Sequence, residues 1–230
     1  MSRLENVTKG IVVNNKMACG AALGAAVALA AAGAAQAQDF QPKEKGLVML
    51  NVRVTDVAPD ADNPITTLGG THTGLSAHVD DDVMPTIGLT YFFTDNVAVE
   101  AIAGATKHTV SARGGTTNVE VKDTWVLPPV VSLQYHIAPK SRISPYLGAG
   151  VNYMIFYNGK DKNGFQLKMD NGFGAALQAG VDIAATGKWS VNLDAKKVFF
   201  ETDATDRVNG VKSKVKLDPW VVSAGVGYKF

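Results

Sequence analysis

Polar and apolar positions alternate strictly over Leu217 to Phe230. Trp220, Val222, Ala224, Val226, Tyr228 and Phe230 make one apolar row, and Val221, Ser223, Gly225, Gly227 and Lys229 a mostly small or polar one. A period of two is that of a strand with two unlike faces. The same pattern predicts seven more strands, over 46–57, 83–93, 97–108, 125–137, 145–157, 172–184 and 189–202. Between them the connections alternate in length. Segments 58–82, 109–124, 158–171 and 203–216 are long and rich in Gly, Asp, Asn, Thr and Lys. The links at Thr94-Asp95-Asn96, Ala138 to Ser144 and Ala185 to Lys188 are short. Four long loops and three tight turns fit eight antiparallel strands with both termini on the short-turn side.

The aromatic residues add a level to this pattern. Tyr91, Phe93, Tyr135, Trp189, Tyr228 and Phe230 fall near the short turns. Trp125, Tyr157, Phe173, Phe199 and Trp220 fall near the long loops. Two aromatic levels flanking an aliphatic band (Ile87, Leu89, Val131, Leu133, Val151, Leu177) match the outer face of a transmembrane barrel. The opposite face carries Arg53, Glu100, Asn152, Gln178, Asp182, Asn192, Asp194 and Lys196. A charge facing hydrocarbon costs about 2–4 kcal/mol for Arg or Lys at mid-depth, so these side chains are expected to face a lumen. There Arg53 and Lys196 can pair with Glu100, Asp182 and Asp194. Lys197 breaks the rule on the lipid side, close enough to the upper belt to snorkel. A soluble eight-stranded barrel shares the periodicity with its apolar face inward; the charged second face and the two belts favour the membrane form.

The first 37 residues differ. Arg3, Lys9 and Lys16 precede an Ala/Gly/Leu/Val stretch from Met17 to Ala35, and Ala35-Gln36-Ala37 is a small-x-small site. This reads as a secretory signal peptide, leaving 38–230 as one barrel domain. Removing Arg3, Glu5, Lys9 and Lys16 with it takes the formal charge from +1 to −1, which gives no footprint for nucleic acid. The single cysteine, Cys19, lies in the leader, so the remainder can form neither a disulfide nor a thiolate metal site.

Several stretches together resemble the OmpW family of outer-membrane proteins: Thr94 to Glu100, Leu127-Pro128-Pro129, Pro145 to Tyr153, Gln178 to Asp182, and Leu217-Asp218-Pro219-Trp220 through Phe230. The resemblance implies an eight-stranded, up-and-down antiparallel transmembrane β-barrel in the outer membrane of a Gram-negative bacterium, with both termini periplasmic. It implies a narrow, largely apolar interior that moves small hydrophobic molecules passively. It brings no catalytic residue and no cofactor. Asn192, Asp194 and Lys196 make the seventh strand more polar inside than the family pattern, whereas Ile102 keeps an apolar inward position. Expected partners are outer-membrane lipid, small hydrophobic solutes and the barrel-assembly machinery, for which Tyr228 and Phe230 are the signal residues. Oligomeric state stays open.

Pro128-Pro129 falls mid-strand, where each proline removes a ladder donor. One reading is a bulge that shapes the strand; the other is a lateral exit from lumen to bilayer. His72, His78, His108 and His136 lack metal-ligand spacing. His72 and His78, with Asp80 to Asp82, read as a solvated loop. No G-x-S-x-G occurs, and Ser111 with His108 has no orienting acid, so an enzyme is not expected. Two functions remain: passive passage of hydrophobic solutes, or a non-conducting barrel whose long loops act as a surface receptor.

Overall fold

The computed structural model describes residues 40–230, and the leader proposed over 1–37 lies outside them. The described chain forms fifteen strand segments: β1 Val48–Ala58, β2 Asp62–Thr67, β3 His72–Val79, β4 Asp82–Phe92, β5 Val97–Ala103, β6 Thr106–Gly114, β7 Thr117–Leu127, β8 Val130–His136, β9 Ile143–Asp161, β10 Leu167–Met169, β11 Gly172–Ala184, β12 Trp189–Phe199, β13 Glu201–Asp206, β14 Val211–Lys216 and β15 Trp220–Lys229.

Eight of these close a circle of antiparallel ladders: β1, β4, β5, β8, β9, β11, β12, β15 and back to β1. Closure matters because a sheet in hydrocarbon must leave no backbone group unpaired. On β1, Arg53 pairs with Thr86 of β4 and with Gly225 of β15. These registers keep Arg53, Glu100, Asp182, Asp194 and Lys196 on one side, since a slip by one residue would turn the whole row outward.

The outer surface is greasy. Ile87, Leu89, Leu133, Val151 and Leu177 are all exposed, and Phe173 is 80% exposed. The aromatic residues form two belts. Trp189, Tyr228 and Phe230 stack edge to face at the short-turn end, with ring centroids 4.9 and 5.0 Å apart. Trp125 stacks on Tyr157 at the other end. Lys197 lies outside, its Nζ 5.3 Å from the Trp220 ring centroid and donating to the Asp218 carbonyl.

The four segments expected as long loops are instead mostly strand. β2 with β3, β6 with β7, and β13 with β14 are hairpins continuing the wall, and β10 pairs with β13 beside the long β9. Only the tips, such as Leu68–Thr71 and Arg207–Gly210, are turns. These walls use weak alternation: Val211, Ser213 and Val215 turn inward against outward Lys212, Lys214 and Lys216. Gly, Thr and Asp blur that signal, but cross-strand pairing rescues it. The expected strands 97–108 and 125–137 are each interrupted. β5 stops before Gly104-Ala105, and β7 stops before Pro128-Pro129. The prolines therefore sit between two strands and not within one.

Candidate functional site

The interior divides into an ionic half at the short-turn end and an apolar half at the hairpin end. All nine residues read as lumen-facing are buried inside the barrel. Arg53 Nη2 meets Glu100 Oε1 at 2.5 Å, and Lys196 Nζ lies 3.3 Å from Glu100 Oε2 and 2.5 Å from Asp194 Oδ1. Gln134 and Gln178 donate to the same Glu100 Oε2, and Arg53 Nε donates to Asn192 Oδ1. A buried charge is tolerated only when paired and fully hydrogen-bonded, and Glu100 receives four such partners. Glycine makes the room: a Cβ on Gly88 would lie 2.8 Å from Arg53 Nη1, and one on Gly180 would overlap the Tyr146 hydroxyl.

Asp182 does not pair with Arg53 or Lys196. Its cation is Lys43, 2.6 Å away, which reaches in from the segment before β1. Sequence reasoning missed Lys43 because it lies outside every periodic stretch. It also missed Gln134, His136 and Tyr146, whose polar atoms join the network. Their alternation with Tyr135 and Leu147 on β8 and β9 was the available signal. With Lys43 included, three cations (Lys43, Arg53, Lys196) pair directly with three carboxylates (Glu100, Asp182, Asp194) among the described residues, while Lys229, also buried at this end, donates to the Gln41 carbonyl. The direct ion pairs of the plug are matched in number.

Above it the character changes. Thr55, Thr86 and Ser223 form a hydroxyl row, with oxygens 2.7 and 2.9 Å apart. Beyond this row lies a small cavity of about 40 Å³ bounded by Ile102, Gly104, Pro128, Asn152, Lys196 and Val198. The next, of about 30 Å³, shares Val57, Pro128, Met154 and Pro219 with it. A third, of about 220 Å³, shares Val79, Val110 and Met169 with the second and reaches Thr73, Phe165 and Asn209 beside the hairpin tips. Fourteen buried apolar residues, from Ala61 to Leu217, form the core around this column. Ile102 thus lines the apolar column and not the plug. Asn152 sits at the boundary, its Nδ2 donating to the Pro129 carbonyl.

The wall beside the lower cavity is incomplete. The β5–β8 ladder ends at Ile102 with Val130, and the β6–β7 ladder begins at Thr106 with Val126. No ladder pair joins 103–105 to 127–129 among the described residues. On the other side, Pro129 is held to β9 by the Tyr153 amide, 3.1 Å from its carbonyl oxygen.

The hairpin extension outside the lipid band carries its own ion pairs. Asp123 accepts from Lys162 at 2.8 Å and from Thr109 at 2.9 Å, with Lys107 at 3.3 Å. The Lys162 hydrogen bond is the main reason its carboxyl is held at about 2. His78 lies 3.5 Å from Asp80, and no group of three metal-ligating side chains forms among the described residues.

A closed eight-stranded sheet with a lipid-compatible exterior and an ionic interior defines an outer-membrane β-barrel protein. The comparisons sharpen this. The chain belongs to the OmpW family, whose model matches residues 44–230, and so to the outer membrane of Gram-negative bacteria. It is 38% identical to the uncharacterized outer-membrane protein y4mB of Sinorhizobium fredii, over 92% of this chain and 96% of that one. It is 30% identical to the dibenzothiophene metabolism operon protein PahQ of Pseudomonas aeruginosa, over 78% and 86%. Among solved structures it resembles the outer membrane protein OprG of Pseudomonas aeruginosa. That likeness has a TM-score of 0.76 at 28% identity, covering 84% of this chain and 99% of that one.

Proposed function

We propose that this barrel gives small hydrophobic molecules passive, energy-independent passage across the outer membrane. The observation that carries the reading is the stepped apolar column that stops on a plug of buried, paired charges. The hairpin end faces the cell surface in this reading, the short turns and both termini face the periplasm, and 1–37 is the leader removed on export. A solute partitions into the 220 Å³ chamber, whose lining includes Leu75, Val79 and Val110. It cannot continue straight down, because entering the plug means replacing ion pairs with hydrocarbon, at several kcal/mol per unpaired charge. It leaves sideways through the gap at Gly104 and Pro128-Pro129, into the bilayer. The cavities of 30 and 40 Å³ are too small for a ring system as they stand. Passage therefore requires Met154, Met169 and Phe156 to move, and flexible thioethers suit that role. The operon named for PahQ concerns an apolar aromatic compound, which supports this solute class. Tyr228 and Phe230, outward at the end of β15, are the residues we assign to recognition by the assembly machinery. The mechanism is partition, with no covalent step.

The test is uptake of a hydrophobic reporter into proteoliposomes by the wild type and by Pro128→Val/Pro129→Val. Neighbouring residues of a strand point their amides to opposite sides and residue 129 faces β9, so one ladder hydrogen bond, from residue 128, is regained across the gap; at about 1 kcal/mol it slows opening roughly fivefold. Single-channel conductance stays near baseline in both proteins. Unchanged uptake by a folded double variant eliminates the lateral route. A wild type silent in uptake as well as conductance would refute passage and leave the surface-receptor reading, for which the projecting hairpins speak.

A further inference from the structure

The segment before β1 crosses the short-turn end and touches all three short turns at isolated points. The Gln41 amide donates to the Gly187 carbonyl at 2.9 Å, the Lys43 amide to Pro139 at 3.0 Å, and the Lys45 amide to Asp95 Oδ1 at 3.0 Å. Phe40 lies between Arg142 and Lys229, 5.7 and 6.0 Å from its ring centroid. Apart from a single bridge between Phe40 and Gly187, the described residues of this strap form no ladder with the barrel.

Its Lys43 side chain, by contrast, is fully engaged. The ammonium lies 2.6 Å from Asp182 Oδ2, 2.9 Å from Ser144 Oγ and 2.9 Å from His136 Nδ1, so its three N–H bonds have three acceptors. The rings of Phe92 and Tyr146 lie 5.9 and 6.0 Å from it, within cation–π range. Every one of these groups belongs to the barrel wall, on β4, β8, β9 and β11. The cage is therefore built by the wall alone, and the strap contributes only the ammonium that fills it. Lys43 also completes a closed circuit. From Asp182 the contacts run through Asn192, Tyr146, Asp194, Lys196, Glu100, Gln134 and His136 back to Lys43. Without it, Asp182 has no direct ion-pair partner among the described residues.

We propose that the short-turn end of the barrel is a binding site for a primary ammonium group, occupied in cis by Lys43, and that the strap is consequently an exchangeable plug. A free primary alkylammonium competes for the same carboxylate, hydroxyl, imidazole and aromatic faces. Strap release presents Asp182 to the compartment on that side. This inference does not depend on the transport reading.

Chemical rescue tests it. Lys43→Ala removes three methylenes and the ammonium, which propylammonium replaces. The folded variant in detergent unfolds about 10 °C below wild type. Propylammonium raises its midpoint in a saturable manner and leaves the wild type unmoved. Propanol and propyltrimethylammonium, which lack the N–H donors, leave both proteins unmoved. Lys43→Ala/Asp182→Asn no longer responds to the amine. Equal effects of amine and alcohol, an equal effect on wild type, or a retained response in the double variant would overturn the proposal. Should Lys43→Ala fail to fold, the readout is refolding yield by heat-dependent gel shift with and without propylammonium. Amine-dependent recovery supports the site, and none refutes it.

Discussion

Glu100 is the residue on which the plug's stability turns, and its removal gives the sharpest test of the ionic core. Four side chains converge on it: Arg53, Lys196, Gln134 and Gln178. Glu100→Gln preserves shape but leaves Arg53 and Lys196 in a fully buried site with one carboxylate too few. Breaking a buried pair from one side costs about 3–5 kcal/mol, because the other charge stays behind uncompensated. With a urea slope of about 2 kcal/mol per M, that moves the unfolding midpoint down by roughly 2 M. Glu100→Gln/Lys196→Met removes one charge of each sign, so the direct pairs again match in number. Its loss should then be smaller than the sum of the two single losses by about 1–3 kcal/mol. The assay is urea unfolding in lipid vesicles, followed by tryptophan fluorescence, since Trp125, Trp189 and Trp220 all sit in the belts. If Glu100→Gln stays within about 0.5 kcal/mol of wild type, or if the double variant is simply additive, the interior charges are hydrated and the plug is not the element of buried, paired charges described above.

Two further outcomes follow from the hairpin end. Ala77→Phe fills part of the 220 Å³ chamber and should cut hydrophobic uptake while costing about 1–3 kcal/mol through overpacking; full uptake in that variant would show that solutes bypass the chamber. Asp123 is held at about 2 in the folded extension, below its ordinary value near 3.9. A depressed carboxylate stabilises the fold above its unfolded value, and that contribution is lost as pH falls through the folded one. Hydrogen-exchange protection of the β6–β7 hairpin should therefore hold at pH 4 and weaken toward pH 2. Carboxyl NMR should show the Asp123 midpoint rising in Lys162→Met, and a wild-type midpoint at or above 3.9 would refute the assignment. Asp123 is partly buried but its partners Lys107 and Lys162 reach solvent, so added salt also raises the midpoint.

The residues themselves determined which side of each strand meets lipid. The pleat sends neighbours to opposite faces, so Leu133 against Gln134, or Leu193 against Asp194, can be sorted without knowing any partner. The two aromatic belts follow from the same count along the strand. Partner choice is another matter, because it depends on which strands close the circle and at what stagger. Only the folded barrel brings Lys43 to Asp182, 139 positions away, and leaves Arg53 and Lys196 to Glu100. Only the ladders show that the Thr- and Gly-rich connections continue the wall as hairpins, where weak alternation gains its force from the strand alongside. The prolines illustrate the division. Their missing donors are visible in the sequence, but the matching interruption at Gly104-Ala105 across the wall is not. That interruption turns a local irregularity into a gap beside the apolar column.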